Sequence, residues 1–196
     1  MAAWTHIAHD SLSLPAAAVT WSSIPSSYDH LCIKASIRTA VAGNYDSVNL
    51  QFGNGSLDTG TNYSMTNVQA FNAASPTPTS GRGSGLASIW YIYVSGNNAT
   101  ADTFGNVEIW IPNYANAANF KQAFCTSTAE NASTTAWGMM FTAGLWSSTS
   151  ATRSKSSSPH RDGEVPLLLG WLSIWTRSCW TRGGGRHLSG TRTLSC

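Results

Sequence analysis

The feature that most constrains this chain is a period of two, repeated and punctuated. From His30 to Thr39, Leu31, Ile33, Ala35 and Ile37 fall on one parity and Cys32, Lys34, Ser36 and Arg38 on the other. In an extended chain successive side chains point to opposite faces, so this segment reads as a strand with one inward face. Ser47 to Phe52 alternates again, with Val48, Leu50 and Phe52 together. Ala16 to Ile24, Tyr63 to Phe71, Leu86 to Ser95, Val107 to Ile111, Phe120 to Ser127 and Trp137 to Trp146 read as further strands, and Trp4 to Ile7 as the start of the first. Between them stand Gly53-Asn54-Gly55, Asp58-Thr59-Gly60, Ser80-Gly81-Arg82-Gly83, Gly96-Asn97-Asn98 and Pro112-Asn113. Such clusters supply the positive φ and the breaks that tight turns need. No segment shows helical periodicity with caps. The expected fold is all-β: a single antiparallel jelly-roll-like β-sandwich over residues 1–150.

After about Thr152 the alternation collapses. Arg153 to Arg161 has no period, Val165 to Trp175 is an unpunctuated apolar run, and Thr181 to Cys196 is rich in Gly, Arg and Ser. Charge changes at the same place. Residues 1–150 carry four basic and seven acidic side chains, net −3, whereas residues 151–196 carry seven and two, net +5. We therefore expect 151–196 to be an irregular basic tail outside the native fold. A one-nucleotide frameshift near Ala151 accounts for it. Gly170 to Arg177 can be encoded so that the next frame reads Ala-Gly-Ser-Val-Tyr-Gly-Leu. The alternative is a genuine basic, Trp-containing extension that binds nucleic acid or a partner, but Arg177, Arg182, Arg186 and Arg192 are scattered and form no nucleic-acid motif.

Hydrophobic residues make up 42% of the chain, enough for a core, while charged residues are only 10%. A usual globular chain has roughly 25% charged residues. No apolar run reaches the ~18–20 residues that span a bilayer, and the N-terminus shows no basic-then-apolar signal pattern. Cys32, Cys125, Cys179 and Cys196 have no metal-type spacing. Cys32 and Cys125, inside strand patterns, are expected as buried thiols, in keeping with assembly in a cytoplasm. No membrane insertion and no nucleic-acid partner are expected.

Asp29-His30 lacks a nucleophile partner for a triad, so Asp29 is expected to cap a turn and His30 to open a strand. His6 and His9, three apart on a strand, are expected to face opposite sides and so not to share a metal. Asp46, Asn54, Asp58 and Asn62 crowd the loops around Ser47–Phe52 without EF-hand spacing, which favours turn chemistry over calcium. Glu108 is the only acid within an aromatic strand, and a glycan hydrolase needs two carboxylates. Asn62-Tyr63-Ser64, Asn98-Ala99-Thr100 and Asn131-Ala132-Ser133 fit the glycosylation pattern, as chance allows in a chain so rich in Asn, Ser and Thr. No catalytic residue, metal or cofactor is expected. The candidate contact residues, for a ligand or for a protein partner, are Trp90, Tyr91, Tyr93, Trp110 and Tyr114. Strict alternation would keep Trp90 and Tyr91 on opposite faces, so at least one aromatic must meet solvent, a ligand or another subunit.

Several phrases occur together and in order: Trp4-Thr5-His6-Ile7-Ala8, Ser22-Ser23-Ile24-Pro25, Tyr28-Asp29-His30-Leu31, Asp58-Thr59-Gly60-Thr61-Asn62-Tyr63-Ser64, the run from Phe104 to Tyr114, and Thr142-Ala143-Gly144-Leu145-Trp146-Ser147. Over roughly residues 3–150 the chain resembles a family of small virion structural proteins found in tailed-phage and environmental virus genomes. Members close on a strand of Leu-Tyr-Gly type, from which this sequence departs. The resemblance implies a β-sandwich placed on the particle as capsid decoration or tail-fibre component. It would assemble with itself as a homo-oligomer and with other virion proteins, and it implies no catalytic residues. The alternative is a carbohydrate-binding module that recognises host surface glycans.

Overall fold

The computed structural model of the chain describes residues 4–71, 77–131 and 138–148 in full, and the backbone of 154–159 and 167–177. The described residues are all-β. The strands are β1 (Trp4–Leu12), β2 (Val19–Trp21), β3 (His30–Thr39), β4 (Tyr45–Asn54), β5 (Ser56–Leu57), β6 (Tyr63–Ala70), β7 (Thr79–Leu86), β8 (Ile89–Ser95), β9 (Gly105–Ile111), β10 (Lys121–Thr128), β11 (Met139–Trp146), β12 (Ser154–Pro159) and β13 (Leu167–Arg177). Among the described residues no helix is long and apolar enough to cross a membrane.

The strands form one curled sheet in the order β2-β12-β4-β8-β3-β9-β10-β11-β6-β7, with β5 on β4, β13 on β3, and β1 on β13. The expectation of a purely antiparallel fold needs correction, because β3 and β8 run parallel where Arg38 pairs with Ser95. Arg38 itself explains the junction. Its buried guanidinium donates to the carbonyls of Asn97, Ala99, Thr100 and Thr103, at 3.0, 2.9, 2.8 and 3.0 Å. The loop after β8 is thus gathered around the end of β3, and the sheet curls there into a half-barrel.

The two limbs of the curl close over one core. Leu31, Ile33, Ala35 and Ile37 of β3, Val107, Ile109 and Ile111 of β9, and Tyr63 and Met65 of β6 meet Val48, Leu50 and Phe52 of β4 and Ile89, Ile92 and Val94 of β8. Each buried Ile or Leu contributes about 1.5–3 kcal/mol relative to exposure. β8 lies close over β11. A Cβ on Gly144 would stand 2.3 Å from Cδ1 of Ile89, and the Thr142 hydroxyl donates to the Tyr91 carbonyl at 2.8 Å.

Crowding under β8 fixes the phase of two strands. In β10 the inward side chains are Lys121, Ala123, Cys125 and Ser127. In β11 they are Met140, Thr142, Gly144 and Trp146. Small groups dominate the inner face, so Phe124, Phe141 and Met139 point outward. Cys32 and Cys125 are buried thiols.

Of the segment expected to lie outside the fold, two pieces have backbone in the sheet. β12 lies between β2 and β4, and β13 lies between β1 and β3. The remainder, with Cys179, Cys196, Arg182, Arg186 and Arg192, lies outside the described residues.

Near the β4–β6 turn, Asp58 ties three elements together. Its carboxylate accepts from Trp146 Nε1 (2.7 Å), Asn62 Nδ2 (2.9 Å) and the Gly60 amide (2.9 Å). Its carbonyl lies 2.9 Å from the Tyr63 hydroxyl, which also accepts from the Phe52 amide. This is the turn chemistry expected of that acidic loop. Burial pushes the Asp58 pKa up, but the bonds from Trp146, Asn62 and Gly60 outweigh it and leave it below the usual value. A carboxyl with a depressed folded pKa stabilises the fold above the unfolded value of ~4, and that contribution is lost as pH falls through the folded value. Asp58→Asn is therefore expected to lower Tm at pH 7, with a gap from wild type that shrinks toward pH 3. Thermal melts across that range check it; a constant gap would show that the charge is not what matters.

Candidate functional site

Two surfaces gather the chemistry. One is a cleft on the outer side of β4 and β8. The other is the outer face of β9, β10, β11 and β6.

The cleft depends on a break in alternation. Leu50 pairs with Ile89 and Val48 with Ile92, so Trp90 and Tyr91 together stand opposite Asn49. One residue too many on one strand is a β-bulge. Tyr91 absorbs it with φ of +62°, a region that costs a non-glycine residue roughly 1–2 kcal/mol. The bulge overturns the expectation that Trp90 and Tyr91 must face opposite ways. Their rings stack with centroids 4.1 Å apart and planes 19° apart. Tyr93 continues the array, 5.8 Å from Tyr91 and 4.8 Å from Tyr45. Burial first, then Tyr45, Tyr91 and Asp46, push the Tyr93 phenol above its ordinary pKa, so it keeps its proton.

Trp90 and Tyr93 form one side of a cavity of about 610 Å³, with Leu86, Ala87 and Ser88 on another side. That volume falls within the ~300–1,000 Å³ of small-molecule sites. Its polar lining comes from the outward parity of β4, which is Ser47, Asn49 and Gln51, and from Asp46. Gln51 Nε2 donates to the Ala87 carbonyl at 3.0 Å, and Asp46 Oδ1 accepts from the Ser47 amide at 2.7 Å.

Trp110 lies elsewhere. Its ring meets Trp4 edge-on at 5.6 Å and His30 at 5.2 Å. It pairs across the ladder with Phe124, which stacks on Phe141 at 6.3 Å; Phe141 pairs with Val68. The result is an apolar stripe across β9, β10, β11 and β6. Beside it runs a groove of about 380 Å³ lined in part by Thr66, Trp110, Gln122 and Leu145. Tyr114 joins neither surface. It is fully buried, with its hydroxyl donating to the Pro25 carbonyl, and burial raises its pKa to about 12.

His30 opens β3 as expected, and its Nδ1 accepts from the Asn113 amide at 3.2 Å. Glu108 forms an exposed ion pair with Lys34 at 2.9 Å. His6 and His9 do not diverge as strict alternation would have them, because the β1–β13 register shifts between His6 and Ala8. Their rings stand 6.4 Å apart. Among the described residues no group of three or more His, Cys, Asp or Glu is placed to hold a metal.

Reading the sequence by alternation found Trp90, Tyr91 and Tyr93 but not their polar partners. The available signal was the Ser47/Asn49/Gln51 parity of β4. It also missed Phe124 and Phe141, which point outward from β10 and β11. Comparison with family models, curated proteins and solved structures returns no match.

Proposed function

We propose that the chain is a non-enzymatic structural protein of a virion, a jelly-roll-like sandwich serving in capsid decoration or a tail fibre. It works by assembling through the outer face of β9, β10, β11 and β6. The observation that carries this reading is the inverted phase of β10 and β11, with Phe outward and Ala, Cys, Thr and Gly inward. Trp4, Val68, Phe120, Phe124, Met139 and Phe141 are 42–53% exposed. At ~150–250 Å² for an aromatic side chain, these leave roughly 500 Å² of apolar surface open. That is the size at which a patch is often functional. It also approaches the apolar share of the ~800 Å² that each partner gives to a standard interface. The family resemblance over residues 3–150 supports the virion setting, as does the low charge. His30 and Glu108, the residues nearest to catalytic candidates, are engaged in a backbone bond and a surface ion pair.

Light scattering on the purified full chain tests this. The parent is expected to be a homo-oligomer. The double variant Phe124→Ser/Phe141→Ser is expected to be monomeric, with its Tm within a few degrees of the parent. An unchanged mass in the variant would remove this face as the interface. Failure to co-purify with particles would remove the virion setting.

A second reading, recognition of host surface glycans, is favoured by the stacked Trp90–Tyr91 pair beside the polar lining of β4.

A further inference from the structure

We propose that the β4/β8 cleft is a binding site for a neutral saccharide, with Trp90 as its stacking platform and Gln51, Asn49 and Asp46 as its hydroxyl readers. This rests on the glycan-recognition reading and names its ligand class; it does not depend on assembly through the outer face.

Three features converge. First, the aromatic array is built at a cost. A bulge and a left-handed Tyr91 put two adjacent rings in one stack, and backbone strain of this sort persists where the surroundings enforce it, often at ligand sites. The surroundings here include Thr142, whose hydroxyl holds the Tyr91 carbonyl from the facing limb. Backed by Tyr91, Trp90 is stiff enough to offer a flat apolar surface. A pyranose presents such a surface on one face, where its C–H bonds align.

Second, the remaining lining suits hydroxyls. Asn49 and Gln51 each carry both donors and an acceptor, Ser47 and Ser88 carry hydroxyls, and Asp46 accepts. Sugar hydroxyls need both kinds of partner at short spacing. Tyr93, kept protonated, adds a donor. Ser47, Asn49 and Gln51 alternate along β4, so their side chains recur every second residue on the same face.

Third, the charge is wrong for acidic ligands. The described lining residues include one carboxylate, Asp46, and no Lys, Arg or His. A phosphate or a sialic acid would meet that carboxylate in a partly desolvated site, where like charges repel more than in water. Nucleobases also stack on aromatics, but the backbone they bring is anionic and needs cationic contacts. A neutral hexose-containing glycan satisfies all three features.

The test is a glycan array followed by calorimetry on the best neutral hit and its sialylated counterpart, using the full-length chain. The neutral glycan is expected to bind, and the sialylated form about tenfold more weakly or not at all. Trp90→Ala should weaken binding by about tenfold or more, and Gln51→Ala by about fivefold. Tyr91→Gly separates fold from site. Glycine adopts the left-handed φ freely, which offsets part of the packing lost with the ring, so this variant should remain folded while losing affinity through loss of the ring behind Trp90. The assembly variant Phe124→Ser/Phe141→Ser should bind each glycan as the parent does, molecule for molecule. Preference for sialylated glycan, lost in Trp90→Ala, would overturn the neutral assignment and leave glycan recognition standing. No glycan bound, or binding indifferent to Trp90→Ala and Tyr91→Gly in folded protein, would overturn both.

Discussion

Arg38→Met is expected to lower the unfolding free energy by about 3–5 kcal/mol, among the largest effects of any single substitution in this chain. The side chain is 8% exposed, and its two terminal nitrogens donate to four backbone carbonyls in the loop Asn97–Thr103. Methionine fills much of the volume and supplies no donor, so the carbonyls must find water or go unsatisfied, at a cost of about 1–3 kcal/mol for each one left buried. Arg38→Lys should recover only part of the loss, since an ammonium cannot reproduce the fork of a guanidinium. Chemical denaturation measures the difference. Hydrogen exchange should show the Gly96–Thr103 segment opening first in the variant. A loss under about 1 kcal/mol would mean that the loop is held by something else.

The second large effect is expected at Gly144. Gly144→Ala places a Cβ within 2.8 Å of three Ile89 side-chain atoms, and Ile89 is completely buried. Overpacking of this kind costs typically 1–3 kcal/mol; because Ile89 is β-branched and enclosed, the upper end is expected. Gly144→Val should be worse, pushing β8 off β11. The cause can be isolated by a double-mutant cycle, with Gly144→Ala measured in an Ile89→Ala background. There the cost should fall by at least ~1 kcal/mol, since contacting residues couple by that order. Equal costs in both backgrounds would show that the limbs are not in contact at this point.

Where alternation was unbroken, the sequence was readable. β3 runs from His30 to Thr39 as its period indicates, and Val48, Leu50 and Phe52 are buried together. β7 was illegible for a clear reason. Its sequence, TSGRGSGL, has the composition of a turn, and glycine there serves close approach rather than reversal: a Cβ at Gly81 would meet the Asn67 amide at 2.8 Å. The candidate site suffered from a related difficulty. Bulges at Trp90–Tyr91 and at His6–Ala8 each insert one residue into a ladder, which reverses the parity of everything beyond. A parity argument carries across a strand only while the register holds, and one sequence gives no sign of where it slips. The outward phenylalanines were hidden for a third reason. Their phase is set by how closely a distant strand, β8, lies over β11, and nothing local to β10 or β11 encodes that distance.

The pairing of β1 with β13 also governs when the molecule can be finished. Among the described residues, the ladder partner of β1 is a strand more than 150 residues later, and β2 is likewise joined to β4 through β12. Contacts of such high sequence separation form slowly, because the loop-closure entropy must be met before they stabilise anything. On the ribosome, β1 and β2 must wait for their ladder partners β13 and β12 to emerge. Any product cut short near residue 150 leaves one flank of β3 and one of β4 open, and open strand edges are where chains of this kind recruit one another. Translation to the end of β13 thus covers the β3 and β4 edges that would otherwise invite edge-to-edge aggregation.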